Sequence, residues 1–205
     1  MKSVIVPLVK CKSGDLADVN NYRAIAISSA ISKIFEHIIA PHLYTDADCD
    51  GSQFGFKSGH STSLCTGVFK RVIDHYFKRS HVFICFIGFS KAFDMVNYWK
   101  LLNKLLDDNV DCNIIRVLAF WFTKQVASVR WHSAFSKPFY IGNGTRQGGV
   151  LSPYLFSRYI RELLLELKLT QLGCCVGGVF INRPTLACAD DVVLLAPSCR
   201  PRCSV

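Results

Sequence analysis

Apolar residues recur along this chain with two different periods, and the switches between them mark its elements. The short apolar run at 3–9 predicts a strand. Residues 10–21 are polar around Ser13-Gly14-Asp15 and predict a loop. Over 29–43, Ile31, Ile34, Phe35, Ile38 and Ile39 fall at helical spacing, and Pro41 kinks or ends that helix. Residues 45–60 are rich in Asp, Gly and Ser and read as a loop. A second helix follows at 62–78, with Val68, Val72, Ile73 and Phe77 on one side. The continuous apolar run 82–87 has the length of a buried strand. Residues 98–106 and 112–122 predict helices, and 126–131 with 137–141 predict paired strands. Ser152 followed by Pro153 is a cap and first-turn pair for a helix reaching residue 169. Residues 176–181 and 184–195 close the chain as strands. Helices and strands mix without strict alternation, so the pattern is α+β.

Composition narrows the class. The 205 residues suffice for one domain or a large piece of one. Half are hydrophobic and only 19% are charged, which is apolar for a complete soluble domain and fits a fragment lacking a covering element. The net charge of +9 favours a polyanionic partner, nucleic acid before an anionic membrane. No run approaches the ~18 apolar residues of a membrane span. The opening Met1-Lys2-Ser3 leads into no apolar signal core ahead of a cleavage site, so an intracellular location is expected, nucleus or cytoplasm being left open. Ten cysteines are present without a Cys-x-x-Cys pair, so the expectation is reduced thiols acting as small core residues rather than a zinc site.

Five segments carry candidate chemistry. Cys188-Ala189-Asp190-Asp191 places two adjacent carboxylates between apolar runs, at the predicted tight turn of a hairpin. Such a pair repels itself unless a cation sits beside it, and a divalent metal is the usual partner. Asn143-Gly144-Thr145-Arg146-Gln147-Gly148-Gly149 precedes Ser152-Pro153. Its glycines permit close backbone approach, Arg146 and Gln147 supply donors, and the helix start offers N–H groups to an anion. Phe86-Ile87-Gly88-Phe89-Ser90-Lys91-Ala92-Phe93-Asp94 runs from a strand into a turn. Lys10, Lys12 and Asn21-Tyr22-Arg23 form a basic opening. Gln53-Phe54-Gly55-Phe56-Lys57 through His60-Ser61-Thr62 mixes aromatic, small and basic residues in a way that suits phosphates and bases.

In this order and spacing the five segments resemble the reverse transcriptase domain of non-LTR (LINE-like) retrotransposons. The resemblance covers essentially the whole chain. It implies a right-hand polymerase fold, with fingers mostly at 1–80 and palm mostly at 81–205, an antiparallel sheet with covering helices, and no thumb. It implies RNA-directed DNA polymerase ancestry, with an RNA template, a DNA primer and deoxynucleotide triphosphates as partners. Two Mg²⁺ ions would be held by three palm carboxylates. Asp190 and Asp191 match two of these, as catalytic residues and metal ligands. Lys10 and Arg23 match contacts to the triphosphate, Gln147 and Gly148 line the nucleotide and template site, and Phe93 matches the aromatic that blocks a ribose 2′-hydroxyl.

The third carboxylate of the family falls on Gly88, which has no side chain to offer a metal. Asp94, six residues on, is not expected to replace it. Cys188 stands where an aromatic is common, Ala24 where a proline is, and Arg161-Glu162 where two acids are. The chain therefore resembles a decayed, truncated copy whose catalysis is expected to be lost at Gly88. The alternative is a non-catalytic nucleic-acid-binding remnant. Either way, 82–87 should pair antiparallel with the hairpin that carries Asp190 and Asp191.

Overall fold

The computed structural model describes residues 2–43, 53–57, 59–77, 81–170, 173–176, 179–181 and 185–197. They fall into two compact units. The first combines Met1–Asp48 with Phe93–Tyr159, and the second combines Cys49–Ala92 with Ile160–Val205.

In the first unit the opening apolar run is strand β1 (Lys2–Val9). It pairs antiparallel with β2 (Tyr22–Ser28), Val9 facing Tyr22 and Ser3 facing Ser28. The hydrophobic pattern does not predict β2. Ala24, Ala26 and Ser28 are small and occupy one face, which weakens the apolar alternation that betrays a strand. The loop between β1 and β2 is tied by Asn21. Its Nδ2 donates to the carbonyls of Cys11 and Asp15, and its Oδ1 accepts the Cys11 N–H. The Tyr22 hydroxyl donates to the Leu16 carbonyl at 2.8 Å. Asn21 and Tyr22 thus shape the loop, and Arg23 is exposed beside them.

β4 (Val126–Trp131) adds to β1 in parallel, with Lys2 opposite Val126. β5 (Ala134–Phe135) and β6 (Phe139–Tyr140) pair antiparallel with β4, so the predicted pairing of 126–131 with 137–141 holds, and β5 adds a short strand the sequence reading leaves out. Helix α1 (Ala30–Leu43) carries Pro41 in its last turn, where the chain ends the helix two residues later. α3 (Tyr98–Asp107) starts at an Asn97 cap and α4 (Cys112–Thr123) at an Asp111 cap, each side chain accepting a backbone N–H. These two helices pack together, with Leu101, Leu105 and Leu118 fully buried. Tyr98 stacks on Phe122 with ring centres 4.8 Å apart. α5 (Ser152–Leu169) buries Arg158, which pairs with Asp108 at 3.2 Å and donates to the Tyr154 hydroxyl.

In the second unit, α2 (Thr62–Phe77) packs on β9 (Thr185–Cys188). β10 (Asp191–Ala196) lies between β9 and β3 (Phe83–Gly88), antiparallel to both. The expected neighbourhood of 82–87 and the acidic hairpin is therefore present. Its core is Phe54, Val72, Cys174, Leu186 and Leu195. The sequence predicts β3 as a buried strand, and this is corrected. Phe83, Ile84 and Phe86 are exposed, because β3 is the edge of a three-stranded sheet. The single strand predicted at 176–181 is a hairpin of two, β7 (Cys174–Val176) and β8 (Val179–Ile181). The cysteine expectation also needs correction. Among the described free thiols only Cys174 is buried, while Cys11, Cys85 and Cys112 are exposed.

Candidate functional site

The acidic turn is built by register. Cys188 and Asp191 face each other across the β9–β10 hairpin, which leaves Ala189 and Asp190 as a two-residue loop. Ala189 has φ of +59°, in the left-handed region that glycine usually fills. Only Asp190 of the acidic pair is therefore in the turn. Asp191 opens β10 and is exposed, while Asp190 is half-buried. On its other edge Asp191 faces Gly88, the last residue of β3. Cross-strand partners have Cα atoms about 4.5–5.5 Å apart. A Cβ added to Gly88 would meet nothing within 4 Å, so the backbone here does not require glycine.

The tip is held from beneath by a segment the sequence assigns to phosphates and bases. Gln53 lies in a bridge beside Ala187 and is 8% exposed. Its Oε1 accepts the N–H of Ala189 at 3.0 Å and that of Gly55 at 2.8 Å. Its Nε2 donates to the Ala189 carbonyl at 3.2 Å. The Phe54 N–H donates to the Ala187 carbonyl at 2.7 Å, and the Phe54 ring is buried in the core. A Cβ on Gly55 would lie 2.3 Å from the Ala189 nitrogen, so only glycine fits. Gln53 and Phe54 are thus turned inward, which corrects the expectation of nucleic-acid contact for these two residues.

In the first unit, the loop before α5 is tied to its surroundings by backbone and by charge. Gly144 N–H donates to the Val96 carbonyl and Thr145 N–H to the Phe93 carbonyl, both at 2.8 Å. Phe93 stacks on Phe156 with ring centres 4.5 Å apart. Ala26 N–H donates to the Gln147 carbonyl at 2.8 Å, and Gly148, with φ of +104°, approaches so closely that a Cβ would lie 2.9 Å from the Ala26 carbonyl oxygen. The structure therefore brings Phe93, Gln147 and Gly148 together with β2, the strand that carries Arg23. Lys10 is exposed, its Nζ donating to the Asn20 carbonyl at 2.9 Å.

Arg146 does something the sequence does not show. Its side chain is only 8% exposed, and its Nη2 pairs with Glu36 Oε1 at 2.7 Å. The other carboxylate oxygen of Glu36 accepts the N–H groups of Val150 (2.5 Å) and Leu151 (3.2 Å). Arg146 also lies over the Trp121 ring, which stacks on Phe35. Arg146 and two N–H groups at the start of α5, expected to face a bound anion, are thus engaged by an anion of the protein itself. Burial pushes the Arg146 guanidinium below its ordinary range, opposed by Glu36 and Tyr98. Burial pushes the Tyr98 hydroxyl up to about 12, with Arg146 pulling the other way.

Among the described residues no group of three or more His, Cys, Asp or Glu side chains is placed to hold a metal. No helix among them is long and apolar enough to cross a membrane.

The chain is similar to known proteins in sequence and in fold. The chain is 26% identical over 198 residues to the retrovirus-related Pol polyprotein from type-1 retrotransposable element R2 of Popillia japonica, covering 95% of this chain and 27% of that protein. It is 28% identical over 149 residues to the probable RNA-directed DNA polymerase from transposon X-element of Drosophila melanogaster, covering 70% of this chain and 16% of that protein. The chain thus spans about a quarter or less of the length of these relatives. In three dimensions it is similar to apo telomerase from Candida tropicalis truncated from the C-terminal domain. The TM-score is 0.59 at 12% identity, over 97% of this chain and 44% of that one. That likeness gives the fold, the α+β right-hand polymerase fold. Residues 10–202 match the family described as reverse transcriptase (RNA-dependent DNA polymerase). The chain belongs to that family, as a reverse transcriptase domain of the non-LTR retrotransposon kind.

Proposed function

We propose that this chain is an RNA-directed DNA polymerase domain by descent whose nucleotidyl transfer is disabled at residue 88. The observation that carries the reading is the position of Gly88, directly opposite Asp191 in a sheet that leaves room for a side chain. Two adjacent carboxylates suit one weakly held divalent cation. They do not suit a pair of ions, which needs a further ligand shared by both. Magnesium in such sites lowers the pKa of an attacking hydroxyl and offsets charge on a triphosphate.

The remaining residues support nucleotide handling. Arg23 is exposed on β2, and Lys10 stands at the end of β1. They supply cations for a triphosphate. Phe93, its ring fixed against Phe156, supplies a rigid wall for a ribose 2′ position. The backbone at Gln147 and Gly148 is anchored on β2 and lines a nucleotide and template site. The partners on this reading are an RNA template, a DNA primer and deoxynucleotide triphosphates. Fingers lie mostly at 1–80 and palm mostly at 81–205. The net charge of +9 favours a second reading, a nucleic-acid-binding protein without chemistry.

The deciding experiment is primer extension on an RNA template with Mg²⁺ and deoxynucleotides, using the chain lengthened to the span of its relatives. We expect no extension with Gly88, template-dependent extension with Gly88→Asp, and its loss again when Asp190→Asn is added. Robust extension with Gly88 in place overturns the reading. On the second reading Gly88→Asp stays inactive, while an RNA–DNA hybrid binds with an affinity that falls steeply with salt.

A further inference from the structure

We propose that Gln53, with Gly55 beneath it, is the positioning residue for Asp190. It fixes the Ala189–Asp190 turn and so sets how tightly the Asp190–Asp191 pair holds a divalent cation. The inference rests on the reading of that pair as metal ligands.

One side-chain amide takes both polar backbone groups of Ala189, its N–H and its carbonyl. The Ala189 carbonyl and the Asp190 nitrogen belong to one rigid peptide plane. The bond from Gln53 Nε2 therefore orients the plane from which Asp190 departs. Ala189 holds a left-handed φ of +59° despite its Cβ, a conformation that persists only where the surroundings over-determine it. Gln53 supplies that constraint from a nearly buried position, and Phe54 anchors it in the core. Gly55 closes the contact, since any side chain would strike the Ala189 nitrogen. The amide is also neutral. A glutamate at residue 53 would repel Asp190, and a lysine would compete with a cation for it.

The test uses the ¹⁵N-labelled chain with Mn²⁺ as the probe, at a temperature where every variant is folded. Gln53→Met keeps length and removes both hydrogen-bonding groups. It should speed amide exchange at Ala189 about tenfold or more, as expected for losing two bonds, while α2 keeps its protection. Mn²⁺ should broaden the amide signals of Asp190 and Asp191. Gln53→Met and Gly55→Ala should each need about tenfold more Mn²⁺ for the same effect. Val72→Ala, a core change in the same unit, should lower the melting temperature and leave the Mn²⁺ affinity alone. Unchanged exchange at Ala189 in Gln53→Met overturns the inference, and so does an unchanged Mn²⁺ affinity. If Mn²⁺ broadens neither signal in the wild type, the metal reading of the pair falls and takes the cation half of the inference with it. Ala189 exchange alone then decides whether Gln53 sets the turn.

Discussion

Two loops, one in each unit, are each held by one buried side chain from far along the sequence, and the two side chains differ in charge. Glu36 reaches a loop 110 residues away, and Gln53 reaches a turn 136 residues away. The loop before α5 offers a guanidinium and two backbone N–H groups, and a carboxylate answers all three. The turn at Ala189 is flanked by carboxylates of its own, and a neutral amide answers it. Each clamp carries the charge its loop lacks or can tolerate. The charged clamp is also the less forgiving one, because each half of a buried ion pair is costly without the other.

The largest effect expected from breaking this comparison is at Glu36. Glu36→Ala strands the buried Arg146 charge and should destabilise the fold by about 3–5 kcal/mol. Gln53→Met should cost only about 1–2 kcal/mol, since it removes neutral hydrogen bonds. Urea unfolding of the two variants side by side measures the difference, and equal costs would remove the distinction between the clamps. Replacing Glu36 and Arg146 together by Met should recover the part of the loss due to the stranded charge, and not the part due to the Val150 and Leu151 N–H groups left without an acceptor.

A smaller effect, confined to high pH, sharpens the picture of the dry setting around Arg146. Tyr98 is buried, and its hydroxyl has no hydrogen-bond partner among the described residues. Its pKa is raised from 10.0 to about 12. Between these values the unfolded chain has lost a proton that the native chain keeps, so stability falls as pH rises. This contribution is fully present below pH 10 and is gone once pH has passed through about 12. It amounts to about 2–3 kcal/mol by the free energy per pKa unit. Tyr98→Phe should match the wild type within about 1 kcal/mol at pH 8 and should lack this component of the alkaline decline. Denaturation midpoints at pH 8 and pH 11 for both proteins provide the check, and parallel declines would rule it out.

The smallest effect separates two of the positive-φ positions, one in each loop. Ala189→Gly relieves a Cβ from a conformation it disfavours and should stabilise by about 0.5–1 kcal/mol. Gly148→Ala at the other loop should destabilise, since the new Cβ would lie 2.9 Å from the Ala26 carbonyl oxygen. Opposite signs in thermal melts are the expected outcome.

Much of this arrangement is legible in the sequence because it depends on local period and local turn chemistry. The helices at 98–106 and 112–122 declare themselves in the sequence, and the structure adds the Asn97 and Asp111 caps just before them. The acidic hairpin declares itself because charge interrupts two apolar runs. β2 does not, since Ala24, Ala26 and Ser28 are too small to mark a face. The two clamps are not legible at all. Glu36 looks like one acid on a helix, and Gln53 like one amide in a polar loop, because their partners are more than a hundred residues away. Arg146 misleads for the same reason. A buried arginine and a ligand-binding arginine have the same letter, and only the position of Glu36 tells them apart.

The open space around Gly88 has a consequence for evolution. A Cβ at this position would meet no described residue within 4 Å, so the first atom of a side chain can be lost or regained there without a clash. An acid at residue 88 would add a third negative charge beside Asp190 and Asp191, and without a cation that repulsion makes the fold weaker rather than stronger. On the proposed reading, the copy that has lost its chemistry is at least as stable as the copy that kept it. Quality control that recognises unfolded chains would then pass the silent form, and its silence would go unseen until a primer failed to grow.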